Sequence, residues 1–476
     1  MTFSAARVVP WLIFWSAAAL LAVGTAAAIA AAPAVAALAV VLPLSALACR
    51  KWPYAAFTAL FVLSGGFWSI QVFTDVPVGV SADLVLGGLW LATLYAFLTG
   101  ENAGARPRLW PGAVAAIALI ALSLASAFVS EDLVKALYTF RVSYWYMLAA
   151  ILVAYAPLSA GAVWLLTRVA LMTALAVSGY AVLRWAIGPA ASETEFARSV
   201  AVRPAETIDG SLRLIGSMGT GHVLGSWMAA MTPFCVALAT SLRGWWRLLA
   251  SAAAALCTVA LMGTSVRAGI VAAGVGVAFV LALRIAGAER RREGVAAALV
   301  AAVVAVAGAT AIVAIEATNR DGRSSRLAGL LHPSEDPSVR NREEKWADAL
   351  EDVHRHPLGQ GLGTSGLAEL RFGRYATISK LSVDSTYLKI ALEQGLAVMA
   401  CFIGVLLLLL AGLSRAALAR SGGLGATVAA GAAGALLAFG IEMTFDVYFE
   451  GIAALSIWLV IGIGLRTCSQ REPSAA

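Results

Sequence analysis

The sequence predicts an all-α polytopic membrane protein, with about 12–14 transmembrane helices and a large loop on one side that contains short helices. Three observations carry this. Hydrophobic residues make up 61% of the 476 and charged ones only 13%, roughly half the share of a soluble domain. Mean hydropathy is +0.84. Apolar runs long enough to cross a bilayer recur along almost the whole chain. A soluble enzyme, a disordered chain and a fibrous repeat are excluded.

The runs lie near 10–32, 33–49, 53–73, 80–99, 110–129, 142–159, 161–188, 220–240, 245–264, 266–286, 295–317, 386–413, 422–441 and 448–466. The first follows Arg7 and resembles a signal peptide, but it continues past 20 residues into further spans, so it reads as an uncleaved helix. Three regions result: helices over 1–317 with an outer loop at 189–219, a large loop at 318–385, and C-terminal helices with a tail at 386–476. Five scattered cysteines read as small buried hydrophobes rather than a disulfide frame or a metal site.

Charge placement orients the spans. Arg50 and Lys51, Arg106 and Arg108, Arg243 and Arg247, Arg284 with Arg290–Arg292, and Arg415 with Arg420 all follow even-numbered spans. By the positive-inside rule these connections and both termini are cytoplasmic. The two long loops then face the other side, where Arg141 and Arg267 also emerge at helix ends. The formal net charge of +7 suits an anionic membrane surface or an anionic substrate, and nothing resembles a nucleic-acid module.

No P-loop and no HExxH motif occurs, and His354 with His356 is only a lone pair. Five segments remain, all on the outer side. YTFRVSYWYM sets Arg141 among aromatics, either as a snorkelling interfacial anchor or as a phosphate contact. In 209–234, Arg213 precedes a glycine-rich approach to a span whose N–H groups suit an anion. LMGTSVRAGI holds Arg267 at the hydrocarbon rim, where a charge needs a partner or a function.

The fourth segment, 338–355, has Val339, Trp346, Leu350 and Val353 at helical spacing with charges opposite. This predicts a helix lying across the bundle mouth with Arg340 and Arg342 on it. The HPLGQGLGTSG turn follows, with His356 at its start. In the fifth, Asp384 and Tyr387 open a span, and Asp384 is either an ordinary helix cap or a reactive carboxylate.

In this order the segments resemble the O-antigen ligase/polymerase superfamily of bacterial integral membrane glycosyltransferases, chiefly over 205–400. The resemblance rests on Arg213-Leu214-Ile215-Gly216, on Ser265-Val266-Arg267, and on Arg342 with Trp346 leading to His356-Pro357-Leu358-Gly359-Gln360-Gly361. It also rests on Asp384-Ser385-Thr386-Tyr387-Leu388 followed by Glu393-Gln394-Gly395. Ligases of the superfamily typically carry a His where Asp384 stands. That departure favours a polymerase, which joins undecaprenyl-diphosphate-linked repeat units into O-antigen, capsule or exopolysaccharide. The alternatives are a ligase, moving finished glycan to lipid A-core or protein, and a transporter or flippase.

The resemblance implies a bacterial inner-membrane protein with a periplasmic active site, working on lipid-linked donor and acceptor glycans in contact with membrane lipid. A chain-length regulator and a flippase are implied as possible partners. No cofactor or metal is expected, because fixed arginines can stabilise a departing diphosphate. Arg267 and Arg213 are assigned to that diphosphate, with Arg141, Arg340 and Arg342 as further contacts and Tyr387 as a substrate-binding residue. Asp384 is the leading general base and His356 the next.

Overall fold

The computed structural model describes residues 33–74, 76–100, 111–156, 158–159, 161–194, 207–208, 211–212, 214–287, 337–366, 368, 383–419, 423–447 and 451–469. The expected spans at 10–32 and 295–317, and Arg213, lie outside the described residues. The fold is helical: α1 Pro33–Lys51, α2 Pro53–Gly65, α3 Phe67–Thr74, α4 Val78–Thr99, α5 Pro111–Phe128, α6 Leu133–Tyr155 and α7 Ala162–Ile187. There follow α8 Gly221–Ser241, α9 Trp245–Thr264, α10 Arg267–Ala286, α11 Pro337–Arg355, α12 Thr386–Gln394, α13 Leu396–Ala419, α14 Leu424–Phe445 and α15 Ala453–Ser469. Among the described residues eight helices are long and apolar enough to cross a membrane, or nine if α2 and α3 count as one bent span. A two-residue β pair joins Thr207–Ile208 to Ser211–Leu212.

Helix α8 is the axis of the bundle. All but a few of its residues are buried, and it packs on α7, α9, α10, α14 and α15. Small residues allow the closest approaches. A Cβ on Gly276 of α10 would stand 2.9 Å from the Gly434 carbonyl of α14, and one on Gly434 would stand 2.9 Å from the Pro233 ring of α8. Trp227 of α8 donates from its indole N–H to Ser456 of α15 at 2.6 Å, satisfying a polar edge inside the core.

Three spans depart from the simple reading. The expected span at 53–73 bends by 84° between α2 and α3. The span expected at 142–159 begins earlier, at Leu133, and passes through a π-helical turn at Arg141–Trp145. The span expected at 386–413 breaks at Gly395 (φ 88°), which separates α12 from α13. The breaks at 66 and 395 serve packing, and Gly395 lies so close to the Pro357 carbonyl that a Cβ would meet it at 2.7 Å. The bend at 66 receives the 214–220 turn, where Ser217 donates to the Gly65 carbonyl at 2.8 Å. Gly219, at φ 78°, lies so close to Trp68 that a Cβ would meet the indole at 2.6 Å.

Candidate functional site

One end of the bundle gathers polar side chains from five helices. The reverse turn between α9 and α10 is tight, and Ser265 takes φ 57°, the one left-handed non-glycine backbone among the described residues. This turn packs on α8, since a Cβ on Gly225 would meet Val266 at 2.7 Å. It starts α10 at Arg267, which is half-buried. Two residues on, Gly269 leaves room for Glu442 of α14, whose Oε1 would be 2.9 Å from a Cβ there.

Glu442 is fully buried, and its Oε2 accepts from the Ser226 hydroxyl of α8 at 3.1 Å. One helical turn toward the mouth, His222 of α8 faces Asp446 just past α14, with Nδ1 3.6 Å from Oδ2. His222–Asp446 and Ser226–Glu442 therefore form two rungs across the α8–α14 interface, because side chains four apart on a helix stack on one face. The outer rung is partly exposed and the inner rung buried.

Helix α11 closes over this mouth. Its inward stripe runs Arg342, Lys345, Trp346, Ala349 and Val353, at the i, i+3, i+4 spacing of one helix face. Leu350, expected inward, is exposed because Ala349 holds that position in the stripe. Ala349 and Val353 pack on Val383, Ala391 and Leu392, while Trp346 lies 6.2 Å from the Phe445 ring. Arg342 comes within electrostatic reach of Glu442. Its Nε is buried with no hydrogen-bond partner among the described residues. Arg340 is exposed.

The cap of α12 is Ser385, which accepts from the Leu388 N–H at 3.4 Å. Asp384 is thereby available for another bond. Its Oδ2 accepts from Lys345 of α11 at 3.0 Å, and its backbone carbonyl accepts from the Trp346 indole at 3.4 Å. Thr386 donates from its N–H and its hydroxyl to the Asp446 carbonyl, at 3.2 and 2.9 Å. Asp384, Lys345, Asp446 and His222 thus lie along one continuous chain of contacts. Tyr387 faces inward: its hydroxyl donates to the Gly440 carbonyl at 2.8 Å and its ring lies 6.1 Å from Phe402.

The remaining sequence-predicted residues lie elsewhere. His356 is exposed at the far end of α11, roughly 15 Å along the helix from Trp346, at 1.5 Å of rise per residue. The turn after it clasps the end of α12: the Gln360 and Gly361 N–H groups donate to the Leu392 and Glu393 carbonyls at 2.7 and 2.9 Å. Gly359 must be glycine, since φ is 88° and a Cβ would stand 2.5 Å from the Glu393 carbonyl. Beneath this clasp Glu393, buried, is held by Lys389 at 2.6 Å and by the Ser365 N–H and hydroxyl at 3.1 and 3.0 Å. Arg141 is ion-paired with Asp83 of α4, on another side of α6 from Thr139 and Ser143, which line a small cleft with Lys389 and Glu393.

A stretch of the chain that takes in Arg267, α11, the glycine turn and Asp384 has counterparts in other proteins. Residues 252–403 match the family described as O-antigen ligase. Over that stretch, about a third of its length, the chain is similar to the O-antigen ligase family. No curated protein matches the chain in direct sequence comparison. The matched segment contains Arg267, Arg342, Lys345 and Asp384, whereas His222, Ser226, Glu442 and Asp446 come from outside it. None of these four is a candidate on sequence, where Glu442 and Asp446 read as lying at an outer connection; Glu442 instead stands inside α14. The available signal was a carboxyl, Glu442, inside an otherwise apolar 22-residue helix.

Proposed function

We propose that this protein is a glycosyltransferase that joins lipid-linked oligosaccharide repeat units into polysaccharide, taking the growing or donor glycan from a polyprenyl diphosphate at the periplasmic face of the bacterial inner membrane. The observation that supports the reading is Arg342 of α11 set beside the buried Glu442 of α14, with Arg267 beginning the helix that packs on the same carboxyl through Gly269. Arginine's planar fork suits bidentate binding of diphosphate oxygens. In a site shielded from water, such fixed charges stabilise the negative charge that grows on the leaving diphosphate. The phosphate-linked donor supplies the driving force, so the arginines need only orient it and hold its charge. Asp384, fixed by Lys345, is placed to bind hydroxyls of the acceptor sugar.

The description of the matched family favours a second reading, transfer of finished glycan to a lipid or protein acceptor. The length profile of lipid-linked glycans in cells with and without the protein separates the two. Polymerase activity predicts that its loss leaves single repeat units on the lipid carrier. Long lipid-linked chains that persist without reaching an acceptor identify a ligase. Repeat units trapped on the cytoplasmic side contradict both and point to transport.

A further inference from the structure

Glycosyl transfer to a hydroxyl also needs a proton acceptor, and the chemistry of the mouth offers one that the sequence motifs do not mark. We infer that His222 is the general base of the transfer and that Asp446 is its positioning carboxylate. The inference rests on the proposed glycosyl transfer and adds the residue that takes the proton.

One oxygen of the Asp446 carboxylate is fixed and the other faces the imidazole. Its Oδ1 accepts from the Val447 N–H at 2.7 Å, and its Oδ2 faces His222 Nδ1 at 3.6 Å. Its backbone is anchored to α12 by the two Thr386 bonds. A carboxylate beside Nδ1 selects the tautomer with its proton there and presents Nε2 as the acceptor. The separation is longer than an ideal hydrogen bond, as is common for catalytic pairs before substrate binds.

The backbone that carries His222 is held firmly. Thr220 caps α8, accepting from the Val223 N–H at 3.1 Å, and the preceding turn is locked against Trp68 and Gly65. The imidazole and the carboxylate are 23% and 28% exposed, at the mouth rather than in the core. Glu442 one turn deeper has no such exposure, and Asp384 Oδ2 is engaged by Lys345.

The step balances without a co-reactant. The acceptor O–H gives its proton to His222 Nε2 as its oxygen bonds to the donor anomeric carbon. The bond from that carbon to the diphosphate oxygen breaks, and its electron pair leaves with the diphosphate. The proton on the imidazolium then passes to solvent at the mouth.

The test uses purified full-length protein in lipid vesicles, with lipid-linked glycan extracted from cells that lack it. His222→Gln is expected to lower kcat on the order of 10²-fold or more with KM nearly unchanged. Asp446→Asn is expected to lower it less. Added imidazole is expected to restore part of the rate in His222→Gly, which a purely structural role would not allow. If the wild type transfers and His222→Gln keeps its rate, the dyad falls while the proposed function stands. Loss confined to Asp384→Asn would give the base role to Asp384. If the wild type transfers nothing, the functional reading and the dyad fail together.

Discussion

Arginine is used in opposite ways at the two ends of this bundle. At one end, Arg466 is buried and donates to the carbonyls of Val153, Ala156 and Leu158, at 3.2, 2.9 and 2.6 Å. It finishes the C-terminus of α6, whose last carbonyls have no helical partners. Nearby, Arg168 lies over the Trp164 and Trp246 rings at 4.2 and 4.6 Å, and Arg247 donates to the Leu242 carbonyl at 2.7 Å. At the other end, Arg342 of α11 stands within electrostatic reach of the buried Glu442 of α14, and Arg267 begins α10 two residues before Gly269, which packs on that carboxyl. The lesson is that a membrane-edge arginine is read by where its donors go: those engaged by helix ends and aromatic faces hold the fold, and one set beside a buried carboxyl of another helix is the candidate for a ligand contact.

Substitutions sharpen this contrast, and the largest effect is expected at the mouth. Arg267→Lys and Arg342→Lys keep the charge and lose the fork. Each is expected to lower glycan transfer about 10²-fold or more while detergent-solubilised protein melts as the wild type does. Arg466→Met reverses the pattern. Stranding several buried carbonyls is expected to cost about 3 kcal/mol, read as a lower melting temperature, with the KM of the surviving protein unchanged.

Gly434→Val probes the core between the two ends. Its added atoms would meet Val280 at 2.4 Å and the Gly276 carbonyl at 3.0 Å, so about 1–3 kcal/mol of destabilisation is expected in the same melting assay. The smallest effect belongs to Glu351→Gln. Its ion pair with Arg355 is well exposed, and breaking it is expected to change stability by under about 0.5 kcal/mol and transfer not at all.

Much of the fold was legible because apolar length and charge placement are one-dimensional signals. The helices from Val78–Thr99 to Arg267–Ala286 begin and end close to their expected limits, apart from the earlier start at Leu133. The bend at Gly66 and the break at Gly395 were not legible, because each is set by a partner distant in sequence: the 214–220 turn in one case, Pro357 and Leu358 in the other.

The site was legible in the same uneven way. Arg267, Arg342 and Asp384 announce themselves as charges in unusual settings, and α11 carries Arg342 toward Glu442 and Lys345 onto Asp384. His222 and Asp446 do not, since a histidine in a glycine-rich turn and an acid at a helix end are each ordinary alone. Only the packing of α8 against α14 joins them. Lys345 was hidden for the same reason: its partner Asp384 lies 39 residues away.

The central claim is that the arginine-lined mouth transfers glycan from a polyprenyl diphosphate. The most direct measurement incubates vesicles holding the purified protein with extracted lipid-linked glycan and follows product length together with release of polyprenyl diphosphate. The account predicts longer glycans and one diphosphate lipid released per bond formed, both lost together in Arg267→Lys and Arg342→Lys. Longer glycans with undiminished rates in both variants, or no release by the wild type, would contradict it.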